Sequence, residues 1–160
     1  QEWFGITLNN QYLLFDNKWG SDRGFIWKTA AGLFAALPFG KKLFGVGPDC
    51  FMPYSYSIPE YAEKLYQYWK PNILTNAHNE FLNLLICIGI AGLLAFIAML
   101  CMGVARFYRA SRKSPLILAG MLCILAYAGS NFFCYQQVCC TPFLFIIMGL
   151  AESVLRRLEK

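Results

Sequence analysis

The chain has 160 residues, of which 58% are hydrophobic and only 14% are charged. Soluble domains carry about 25% charged residues, so the composition argues against an ordinary soluble enzyme and for a membrane protein. The net charge of +5 is uneven: residues 1–80 carry seven basic and seven acidic side chains, residues 81–160 seven and two.

In chain order, Gln1–Gly20 is mixed aromatic and polar, without the basic-then-apolar opening of a secretory signal. The expectation is that more protein precedes it and that the chain is the C-terminal part of a larger polytopic bundle. Gly20-Ser-Asp-Arg-Gly24 reads as a turn with a helix cap at Ser21 or Asp22. Arg23–Leu37 is helix-compatible, carries Arg23 and Lys28 as its charges, and is ended by Pro38 and Gly40. Gly45-Val-Gly-Pro48 is a turn that cannot sit inside a helix. Ser57-Ile-Pro-Glu60 fits a capped start for an amphipathic helix, Glu60–Trp69, whose aromatics suit a membrane–water interface.

Three apolar stretches follow. Residues 81–105 hold no charge and are long enough for a ~30 Å hydrocarbon core. Residues 116–133 form a second uncharged run behind Pro115, a good first-turn residue. Residues 139–155 form a shorter third run, interrupted by Glu152. Arg106, Arg109, Arg112 and Lys113 lie between the first two runs, and Arg156, Arg157 and Lys160 follow the third. By the positive-inside rule both groups are cytoplasmic. Residues 1–80 and the Tyr135–Val138 turn then face outward, and residues 156–160 form a cytoplasmic tail. The expected fold is therefore all-α: three transmembrane helices preceded by an outer segment, residues 1–80, with two short interfacial helices. Short basic loops flanking spans need no nucleic acid partner.

Seven cysteines lack paired metal spacing; Cys87, Cys101 and Cys123 lie in apolar runs as small hydrophobes. A disulfide among Cys134, Cys139 and Cys140 stays open. His78, the sole histidine, lies just outside the first apolar run in Asn76-Ala-His-Asn-Glu-Phe81. Such a histidine can titrate near neutral pH, yet a polar border cap explains it equally. Glu80 could orient the imidazole or bind sugar hydroxyls, and reads equally as a solvated carboxylate at a helix start.

Taken together, these motifs have a recognisable order: Arg23 leading an aromatic helix, Pro38, Gly40, Gly45 and Gly47 in turns, then His78-Asn79, Gly89 and Gly92. Over about Ser21 to Glu152 the chain resembles the O-antigen ligase and polymerase family of bacterial envelope glycosyltransferases. The resemblance implies a many-span inner-membrane protein that needs no metal or other cofactor. It would use a glycan linked to undecaprenyl pyrophosphate and an acceptor glycan or glycolipid. The family's loop arginine and histidine map to Arg23 and His78.

The residue chemistry agrees. A guanidinium offers a planar fork for pyrophosphate oxygens, and a neutral imidazole can take the proton of an attacking hydroxyl. Lys28 is a secondary phosphate candidate on another part of the helix surface. Asn79 and Asn76 are candidates to bind sugar hydroxyls or orient the imidazole. The structural readings remain beside these: Arg23 as an interfacial anchor, the tryptophans and tyrosines as an aromatic belt, and Gly89 and Gly92 as helix-packing residues. Two other functional classes stay open: a non-catalytic accessory protein or degenerate remnant, and a transporter fragment. The last would want more polar mid-span residues than Asn83, Ser130 and Asn131.

Overall fold

A computed structural model describes residues 15–137 and 139–160, together with a short antiparallel pairing of β1 (Glu2–Trp3) with β2 (Ile6–Thr7). Most of the Gln1–Gly20 stretch, and Val138 in the expected outer turn, lie outside the described residues. Eight helices follow: α1 (Trp19–Ala36), α2 (Phe39–Phe44), α3 (Phe51–Ser57), α4 (Pro59–Trp69), α5 (Glu80–Cys87), α6 (Gly89–Ala110), α7 (Pro115–Phe133) and α8 (Thr141–Leu158). Among the described residues, helices are thus the only regular structure apart from this short β pairing.

The segment expected to hold two helices holds four, gathered around a core of its own. Ile26, Ala30 and Leu33 of α1 pack with Phe51 of α3, Leu65 of α4, and Leu74, Ala77 and Ile86. The expected caps do not form. Gly20, Ser21 and Asp22 adopt left-handed angles (φ 62°, 60° and 68°), so regular helix begins at Arg23. Asp22 instead accepts a 2.7 Å hydrogen bond from the Tyr68 hydroxyl, which pushes that phenol up to about 12. Ser57 donates its hydroxyl to the Tyr54 carbonyl rather than capping α4. Trp27 packs against Trp19, Phe132 and Phe133, as part of an aromatic cluster joining α1 to the end of α7.

The single helix expected from Phe81 to Ala105 is broken into α5 and α6. Loop N–H groups of Val46 and Gly47 donate to the Ile86 and Cys87 carbonyls at 3.0 and 2.9 Å, so these carbonyls bond the loop. The close approach requires glycine on both sides. A Cβ on Gly45 would overlap the Cys87 carbonyl, and one on Gly89, at φ 71°, would overlap the Leu43 carbonyl. Gly89 therefore serves a chain crossing, not the helix packing read from its position.

Helices α6, α7 and α8 share a second core formed by Leu100, Phe107, Ile117, Ile124, Leu144, Ala151 and Leu155. Ser114 caps α7, accepting from the Leu116 N–H, with Pro115 in the first turn as expected. Helices α6 and α7 are long and apolar enough to cross a membrane, with mean hydropathies of 2.1 and 1.8 over their best windows. Only 11% and 22% of those windows are buried, so their apolar faces turn outward, unlike the core helices of a soluble protein. The charge that interrupts the third apolar run is paired: Glu152 accepts from Arg106 at 2.7 Å and from Arg156 at 2.8 Å. Glu159 takes a further Arg106 N–H at 3.1 Å. All seven cysteines are free thiols.

Candidate functional site

The site grows from the break between the loop and α5. Asn79 caps α5: its side-chain oxygen accepts from the Leu82 N–H at 3.0 Å, and the residue is buried. Immediately before it, His78 takes a left-handed φ of 47°. Left-handed geometry costs a residue with a Cβ roughly 1–2 kcal/mol, and such outliers gather at functional sites. The conformation is held locally: Asn76 Oδ1 accepts the His78 N–H at 3.0 Å, while Asn76 Nδ2 donates to Thr75 Oγ1 at 3.1 Å.

The turn after α7 meets His78 from the other side. The Tyr135 ring stands edge-on to the imidazole, with centroids 5.6 Å apart at 89°. Two side chains from distant parts of the chain grip this turn. Arg23 donates Nε–H to the Phe133 carbonyl at 2.9 Å and Nη1–H to the Gly20 carbonyl at 2.6 Å. Glu80 accepts the Gln136 N–H on Oε2 at 3.0 Å. The guanidinium is near enough to act on the histidine. Burial first, and the Arg23 charge second, hold His78 below its ordinary value, which favours the neutral imidazole.

A cleft of about 650 Å³ opens beside this arrangement. Its polar wall comprises Asp49, Asn76, Glu80, Asn83, Gln136 and Gln137, and Tyr135 joins it to His78. Carboxyl and amide groups of this kind can each exchange hydrogen bonds with sugar hydroxyls.

The residues singled out in the sequence fare differently. Arg23 and His78, far apart in sequence, come within electrostatic reach of one another. Asn76 lines the cleft. Asn79 is buried and spends its carbonyl oxygen on the helix cap. Lys28 is engaged elsewhere: its Nζ donates to Asn17 Oδ1 at 3.1 Å and lies 5.3 Å from the Phe15 ring centroid. Glu80 corrects the expectation of a solvated carboxylate. It is 3% exposed and reaches across the fold to the Gln136 N–H. The sequence reading assigned Tyr135 no separate role, and its position two residues beyond α7 carries no signal of its partner across the loop.

These features define a helical membrane protein with a polar site at one end of its helices. The chain matches the family model described as O-antigen ligase over residues 3–97, more than half its length and including Arg23 and His78. The chain belongs to the O-antigen ligase family, a family of membrane proteins, with glycan transfer as the general class of its activity and lipid-linked glycan and acceptor as the general class of its substrates. Searches of curated proteins and of solved structures returned no match.

Proposed function

We propose that these helices carry the reaction centre of a bacterial envelope polysaccharide ligase or polymerase, which transfers glycan from undecaprenyl pyrophosphate to an acceptor sugar hydroxyl. The acceptor oxygen attacks the anomeric carbon as its proton passes to the neutral imidazole of His78. The bond from the anomeric carbon to the pyrophosphate oxygen breaks, and the charge left on that oxygen is met by Arg23. A positioned base typically contributes about 10²–10⁴-fold. The observation that carries this reading is that Arg23 and His78 meet one turn of chain, Arg23 at the Phe133 carbonyl and His78 at the Tyr135 ring, where burial first and the guanidinium second favour the neutral imidazole. Arg23 keeps its Nη2 edge without a protein acceptor among the described residues, available to phosphate oxygens.

In this reading α5 together with α6, then α7 and then α8, are three spans of an inner-membrane protein. The connector around Arg109 and the end of α8 face the cytoplasm. Residues 1–80 and the turn at Tyr135 face outward. Asn76 and the amides of Gln136 and Gln137 contact sugar; Asn79 acts by setting the direction of the His78 loop. Lys28, held by Asn17, offers its charge to the headgroups and not to the cleft. The open cleft needs further walls to enclose a polyprenyl donor, so transfer belongs to a larger bundle.

A second reading treats the protein as a non-catalytic membrane component. The observation favouring it is that Arg23 spends Nε and Nη1 on two backbone carbonyls, as a purely structural arginine would. Donor binding and turnover measured on the complete protein separate the two. His78→Ala should bind the pyrophosphate-linked donor normally and transfer it at least about 10²-fold more slowly. Arg23→Ala should weaken donor binding. Wild-type turnover in both variants would leave the second reading standing.

A further inference from the structure

The geometry points to Glu80 as a positioning residue for the glycan transfer, a clasp that holds the turn after α7 so that Tyr135 orients the His78 imidazole. The inference rests on the reading of His78 as the base and adds a device that this reading does not require. Glu80 opens α5 two residues after His78, yet its carboxyl reaches across the fold to the Gln136 N–H at 3.0 Å. One residue before Gln136, Tyr135 presents its ring edge-on to the imidazole. Two residues before Tyr135, the Phe133 carbonyl is taken by Arg23. The turn is therefore fastened at both ends by the two stretches that bear the proposed base and the proposed phosphate ligand, and the aromatic contact lies between the fastenings.

The chemistry of the clasp follows from burial. A carboxyl that is 3% exposed must use its oxygens within the protein, since leaving a buried polar group unpaired is unfavourable. Oε2 uses the Gln136 N–H. The bond from Gln136 needs only an acceptor, so it survives whether the carboxyl is charged or neutral. A helix-start carboxylate serving its helix dipole alone would lie in water and would contact nothing on the turn after α7. Tyr135 is 37% exposed, and its ring contact with His78 depends on where the backbone is held.

The test is steady-state transfer kinetics on the complete protein in membrane vesicles, with expression level and unfolding temperature measured for each variant. Glu80→Ala should lower kcat by about 10–100-fold with little change in KM for the donor, the scale expected when a reacting group is misplaced. Glu80→Gln keeps an acceptor for the Gln136 N–H and should recover most of that loss. Tyr135→Ala, at an exposed position, should match Glu80→Ala. Combining the two should add little, because both act on one contact. Normal kcat in Glu80→Ala or Tyr135→Ala, a Gln variant as poor as Ala, or multiplying losses in the double variant would each overturn the clasp. His78→Ala runs alongside as the control for the base. If it alone retains transfer, the base assignment fails; if it is inactive while Glu80→Ala is normal, only the clasp fails.

Discussion

At the scale of single residues, the account turns on the protonation of one imidazole. His78 is half-buried beside a guanidinium, and both effects disfavour its charged form. Its value lies below the ordinary 6.5, so at neutral pH the ring is a base, and protonation removes activity only as the pH falls through the lowered value. The acid limb of kcat/KM, which reports the free enzyme, should therefore lie below pH 6.5. A limb at or above that value would mean that His78 is not the titrating base. Arg23 and His78 were legible in the sequence from their places in an ordered set of motifs. Glu80 kept two readings, a site role and a solvated helix start, because a carboxylate at a helix start looks the same whether it meets water or a distant N–H. Tyr135 was hidden for a related reason: its partner is supplied by tertiary packing, which local pattern does not encode.

At the scale of elements, the uncharged stretch after His78 was correctly read as helical, but its continuity was not. An apolar run carries no mark of a break whose cause lies elsewhere. The cause here is the loop at Gly45–Gly47, which donates to the last carbonyls of α5. Gly89 was visible and was assigned to helix packing, whereas its positive φ and its approach to the Leu43 carbonyl assign it to the crossing. Substituting Gly89→Ala should cost at least roughly 1–2 kcal/mol from the left-handed backbone alone, with the overlap adding to it. The measurement is the unfolding temperature of the detergent-solubilised protein, which should fall. An unchanged value would show that α5 and α6 can run as one helix. The short helices α2 and α3 escaped sequence reading because each has only six or seven residues, too few for a periodic pattern.

At the scale of the whole molecule, charge and hydropathy were the most informative features of the sequence. The outward-facing apolar surfaces of α6 and α7 agree with the composition, and Glu152 is reconciled with its apolar run by pairing to Arg106. The proposed orientation predicts labelling by a membrane-impermeant thiol reagent in a variant lacking the native cysteines. Thr75→Cys should react in intact cells, and Ser111→Cys only after permeabilisation. The reverse pattern would invert the topology and place the cleft on the cytoplasmic side, away from any outward-facing acceptor.

The central claim is that Arg23 and His78 act together in glycan transfer. Its most direct measurement is restoration of the surface-polysaccharide ladder in cells lacking the gene, comparing the wild-type protein with Arg23→Ala and His78→Ala at matched protein levels. The account predicts that both variants accumulate normally and that neither restores the ladder. A full ladder from either one would contradict it.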